Sequence, residues 1–222
     1  MTVGLALLLL AWGTVVAVDL VSMPQGLLSR PLVAATVAGW FAGDLAAGLV
    51  AGAVLELYAL EVLPIGASRY PDYGPAAVAG GAAAALIPGG SGAGIAGLVA
   101  LPLAVLGGWT LHHHRRLTAR ALEARLGQVN DGDPGAIAAL QRLGLLRDAA
   151  RGLALSFVGL AVAWAVHLIP WTTVRHVEWL DAAVIAGGLA AGLGGALRSA
   201  GRGERRRWLA VGTATALLVV LL

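Results

Sequence analysis

The 222-residue chain has no cysteine and no lysine, and only 12% of its residues are charged. The absence of cysteine excludes disulfides, thiolate nucleophiles and cysteine-ligated metals, and it leaves the redox compartment unreadable. With no lysine, all fifteen basic residues are arginine. The scarcity of charge decides the solvent. At 59% hydrophobic residues and a mean hydropathy of +0.83, the chain has more apolar side chains than a soluble domain of this length buries, which makes it an integral membrane protein.

Twelve of the arginines fall in two windows, 115–151 and 198–207. Such clusters flanking apolar segments mark the cytoplasmic side of a membrane, near anionic headgroups. The expected fold is therefore all-α and polytopic. Residues 3–18 read as a first, retained span ending at Asp19, because no basic region precedes it as in a cleaved leader. Two prolines and a glycine in 22–31 break the helix. Later spans are expected at 93–111, 153–170, 182–197 and 208–222. Residues 112–151 form the main polar insertion, expected as a pair of amphipathic surface helices interrupted at Asn130–Pro134.

The run Leu32–Pro64 holds 33 residues, about 50 Å as one helix against a hydrocarbon core of roughly 30 Å. It must tilt, bend or break, and the natural break is Gly43-Asp44. Gly39-x3-Gly43 and Gly48-x3-Gly52 supply close-packing faces. The segment around it, 30–80, carries Asp44, Glu56 and Glu61 within apolar sequence and Asp72 in a Pro-rich loop. Each ionisable group at membrane depth costs roughly 2.5–3.5 kcal/mol, so its default reading is a pathway or binding site.

Three other motifs carry less weight. Gly92-x-Gly94-x-x-Gly97 matches a dinucleotide fingerprint but lacks the preceding strand and the following acid. Gly89-Gly90-Ser91-Gly92, with His167 on a later span, resembles the serine motif of rhomboid-type intramembrane hydrolases, although a serine in a Gly-rich turn is more commonly a turn residue. His112-His113-His114 are adjacent, whereas metal ligands on a helix need i, i+3 or i+4 spacing, so they read as an interfacial cap to the preceding span. No cofactor, metal or nucleic-acid partner is expected.

The ordered elements Arg30-Pro31-Leu32, Gly43-Asp44, Gly48-x3-Gly52, Leu55-Glu56-Leu57, Pro64-Ile65-Gly66-Ala67 and Pro71-Asp72 resemble the signature block of the membrane subunit IIC (EIIC) of mannose/fructose/sorbose-type sugar phosphotransferase systems. The resemblance implies a single membrane transport domain over 1–222, in a bacterial inner membrane. It also implies a IID membrane subunit and soluble IIA and IIB phosphocarriers as partners, and carries Glu56 and Asp72 over as sugar ligands. Asp44 is expected to serve a helix terminus or Arg30 instead. Glu61 and Arg69 depart from the family pattern, and Arg69 is near enough in sequence to pair with Asp72 or Glu61. The candidate substrate-binding set is thus Glu56, Asp72, Asp44, Glu61 and Arg69. The open alternatives are a permease of the same fold without phosphotransfer, the serine hydrolase and a purely structural membrane partner, alone or as a homo-oligomer. No phosphoryl-accepting residue is identified.

Overall fold

The computed structural model describes residues 1–62, 69–87, 92–198, 201, 203–204, 207–208 and 210–211. Among them every regular element is helical: α1 (Val3–Val21), α2 (Pro31–Ala42), α3 (Leu45–Leu60), α4 (Tyr73–Leu86), α5 (Gly92–Glu123), α6 (Leu126–Asn130), α7 (Pro134–His167) and α8 (Val177–Ala196), with a 3-10 turn at Trp171–Thr173. Four of them, α1, α5, α7 and α8, are long and apolar enough to cross a membrane. The Pro64–Ala67 element, Ser91 of the serine motif and most of 208–222 lie outside the described residues.

The break at Gly43-Asp44 is realised. Pro31 starts α2 at a position where its missing N–H costs nothing, and Gly43 ends it with φ +95°, a left-handed conformation open to glycine. Asp44 then starts α3, its carboxylate accepting from the Ala47 N–H at 2.9 Å. The result is a helical hairpin of two short pieces, about 18 Å and 24 Å long. Its halves touch backbone to backbone. A side chain at Gly48 would collide with the Ala35 carbonyl oxygen at 2.7 Å, and one at Gly52 with that of Pro31 at 2.9 Å. This is the close approach that small residues permit in lipid.

Helix α4 is the centre of the fold. Every residue from Gly74 to Ala84 is buried, and none is larger than valine. It packs against α1, α2, α3, α5 and α7, while α1 lies on α7 and α8 on α3 and α5. At 14 residues it is only about 21 Å long, too short to cross the core alone.

The region 112–151 differs from the expected pair of separate surface helices. α5 continues without interruption from the apolar span through the three histidines to Glu123, and α7 continues from Pro134 into its span as far as His167. The change from apolar to basic residues after Leu111 marks a change of solvent, with no proline, glycine or cap to stop the helix there. At about 48 and 51 Å, both helices outreach the hydrocarbon core. The interruption at 130–134 does occur: Asp133 caps α7 by accepting from Gly135 N–H at 2.8 Å, and Pro134 opens the helix.

The Gly92–Gly97 motif serves helix packing. Asp181 of α8 accepts from the Gly94 N–H at 2.6 Å, and Gly97 makes room for Val184 of the same helix.

Candidate functional site

The five candidate side chains do not converge. Asp44 and Glu56 stand on opposite parts of α3, about 18 Å apart along its axis, so they cannot share one small ligand. Asp44 is exposed and occupied as a helix cap. Its other expected partner, Arg30, is instead paired with Glu56 through Nη2 and Oε1. The second oxygen of Glu56 accepts from the Leu32 N–H at 3.1 Å, which ties the first turn of α2 to the last turns of α3. Glu61, just past the end of α3, pairs with Arg198 at 3.2 Å. Arg69 lies 3.5 Å from the His112 ring. The expected pairing of Arg69 with Asp72 or Glu61 is therefore not made; both acids have taken other arginines.

Asp72 is the deepest of the five, with no exposed side-chain surface. It starts α4 and accepts from the Gly74 N–H at 3.3 Å. Its other oxygen is 2.6 Å from Nη1 of Arg151, on α7. Arg151 also donates through Nε to Asp148 at 3.0 Å, and Asp148 in turn accepts from Ser22 Oγ, at the end of α1, at 3.2 Å. One buried polar chain thus ties α1, α4 and α7 together. Two carboxylates flank the buried guanidinium, which keeps its charge tolerable away from water, while Nη2 lies 3.0 Å from Asp148 without making a hydrogen bond.

The loop before Asp72 is seated on α5. Asp72 N–H donates to the Ala104 carbonyl at 2.9 Å, and the ring of Tyr70 lies 4.8 Å beneath the Arg115 guanidinium. Gly107 and Gly108 form the seat: a side chain on the first would strike Asp72 Cβ, and one on the second the Tyr70 carbonyl. The sequence reading missed Arg151, Asp148 and the Gly107-Gly108 seat. The available signal was an acid and an arginine three positions apart at the start of the apolar part of α7.

Between Arg30 and this loop lies a small cavity of about 70 Å³, bounded by Arg30 and Pro31 on one side and by Tyr70, Pro71, Tyr73 and Gly74 on the other. Residues on both sides of Asp72 line it. Neither Asp72 nor Glu56 does.

Among known proteins, a family model described as the sorbose-specific IIC component of the phosphotransferase system matches residues 3–199. The sorbose-specific EIIC component of Klebsiella pneumoniae is 40% identical over 78 residues, which make up 35% of this chain and 29% of that protein. The fructose permease IIC component of Bacillus subtilis strain 168 is 39% identical over 82 residues, 37% of this chain and 30% of that one. These alignments thus span less than a third of the curated relatives' length. Two solved structures share the fold across the whole chain. One is described only as a membrane protein (TM-score 0.65, 22% identity, 91% of its chain covered), and the other is the mannose transporter ManYZ in complex with microcin E492 (TM-score 0.56, 21% identity, 96% covered). The helical hairpin, the capped half-helix α4 and the extent of the family match lead to one conclusion: this membrane protein belongs to the family of sorbose-specific IIC components of the phosphotransferase system.

Proposed function

We propose that the protein is the sugar-translocating membrane subunit of a phosphoenolpyruvate-dependent phosphotransferase system in a bacterial inner membrane. On this reading it works with a IID subunit and hands its sugar to a cytoplasmic IIB phosphocarrier. The observation that carries the reading is Arg30, which lines the cavity facing the Tyr70–Gly74 loop and is paired with Glu56. A guanidinium and a carboxylate side by side offer planar donors and acceptors, the set that matches adjacent sugar hydroxyls. The pair is reachable, with 42% and 18% of the two side chains exposed.

The cavity of about 70 Å³ is far below the ~300–1,000 Å³ usual for ligand sites, so this conformation is closed. Sugar enters when the α2–α3 hairpin and the loop separate, and the hydroxyls then replace the contacts that Arg30 and Glu56 make with each other. Asp72, sealed by Arg151, takes part only in a conformation in which the loop has lifted from α5. Residues 112–151 and 201–207 are cytoplasmic on the charge rule. Arg30, Glu56 and Asp72 then all lie toward the cytoplasmic ends of the spans, where a phosphocarrier has access.

Uptake and binding of labelled mannose, fructose and sorbose by Glu56→Gln and Asp72→Asn, each checked for membrane insertion, test the site. Glu56→Gln should lower uptake at least tenfold. Unchanged uptake and binding in both variants would overturn the site. Accumulation of free sugar, in place of its phosphate, would assign the chain to permeases uncoupled from phosphotransfer.

A further inference from the structure

Beyond the sugar site, a groove of about 740 Å³ opens where α5 and α7 emerge past the end of α1. α1 is about 28 Å long, close to the thickness of the hydrocarbon core, so Val21–Met23 mark the level at which the lipid ends. The groove begins there and runs outward between two stripes. Thr118 and Leu122 of α5 face Leu140 and Gly144 of α7, each pair four residues apart and so on one helix face.

Val21, Ser22, Met23 and Arg147 line the end near α1, and Leu122, Leu140 and Arg142 line the end farther out. Arg142 stands five residues, about 7.5 Å, beyond Arg147 along α7, so positive charge continues along the groove away from the end of α1. Leu122 is 43% exposed. The titratable residues lining the groove are His114, Arg142 and Arg147, with no carboxylate among them. Nearby Asp148 is buried and engaged with Arg151 and Ser22. An apolar groove of about two helical turns with only basic groups on its walls is complementary to an amphipathic helix whose flanks are acidic.

We infer that this groove docks an acidic amphipathic helix of a soluble partner protein, held by leucine-type anchors against Leu122 and Leu140 and by carboxylates on Arg142 and Arg147. The inference does not depend on which sugar is carried, or on whether one is.

The test uses the full chain in phosphatidylcholine nanodiscs and a fluorescein-labelled 14-residue helical peptide with leucines at i, i+3, i+4 and i+7 and glutamates elsewhere. Fluorescence polarisation should show saturable binding that weakens at least tenfold for the lysine counterpart of the peptide and falls with added salt. Arg142→Glu, a change on an exposed side chain, should weaken binding at least tenfold. Gly144→Phe should abolish it by filling the groove, where added atoms meet open space. Equal binding of the glutamate and lysine peptides, no binding of either, or binding undiminished in Gly144→Phe would overturn the inference. A second measurement covers lipid: an environment-sensitive dye on Gly144→Cys, the only thiol in the chain, should report a wet groove in both phosphatidylglycerol and phosphatidylcholine nanodiscs. An apolar signal in phosphatidylglycerol alone would mean that lipid fills it, and the inference falls.

Discussion

Asp72 and Arg151, 79 residues apart in the sequence, meet with 2.6 Å between carboxylate and guanidinium, and almost no solvent reaches either side chain. Breaking a buried pair leaves a bare charge, at a cost of about 3–5 kcal/mol. The two halves of this pair are not equivalent, because Arg151 also serves Asp148. Arg151→Met strands two carboxylates, whereas Asp72→Asn leaves the arginine with Asp148. Arg151→Met should therefore lower the unfolding temperature in detergent more than Asp72→Asn does. Equal losses would count against the shared role of Arg151.

Two of the hairpin's glycines, Gly43 and Gly48, act through different physics. Gly43 has open space around a Cβ but φ of +95°, so Gly43→Ala should cost about 1–2 kcal/mol in backbone strain alone, and Gly43→Asn less. Gly48 has ordinary φ but no room, so Gly48→Ala should cost about 1–3 kcal/mol through overpacking. Gly48→Asn should be worse than Gly48→Ala, the opposite order to position 43. Thermal unfolding of the four variants checks this crossing.

Asp44 caps α3 without touching the proposed sugar site. Asp44→Asn keeps an acceptor and should leave stability and uptake nearly unchanged. Asp44→Ala should cost about 0.5–2 kcal/mol in stability while sugar affinity is retained. Loss of sugar affinity in Asp44→Asn would return this residue to the set of ligands.

The contact between Ser22 and Asp148 puts the end of α1 beside the arginine-rich ends of α5 and α7. As a membrane-spanning helix, α1 should then begin on the opposite face of the membrane. Single cysteines at Gly4, where space is open, and at Asn130 should be labelled by an impermeant maleimide from opposite sides, Asn130 from the cytoplasm. Labelling of both from one side would refute this topology.

The sequence made some of these features plain and concealed others. The hairpin break was legible because Gly43-Asp44 combines a left-handed C-cap with an N-cap in adjacent positions, which is local chemistry. The fate of Glu61 and Arg69 was not, because their partners Arg198 and His112 are brought to them by tertiary packing. Arg151 was grouped with the other arginines of its window, since nothing local separates a buried guanidinium from six neighbours in the same stretch. The expected surface helix pair arose from taking a change of polarity for an end of helix.

Because α4 exposes little more than methyl groups and backbone to its five neighbours, it lacks the large interlocking side chains that usually fix one helix against another. Sliding the hairpin along it requires no rotamer change from α4 itself, as in a smooth shaft within a sleeve. The fastenings sit at one end of that shaft, where Asp72 is held by Arg151 of α7 and its N–H donates to the Ala104 carbonyl of α5, so α4 is anchored to those two helices and not to the hairpin.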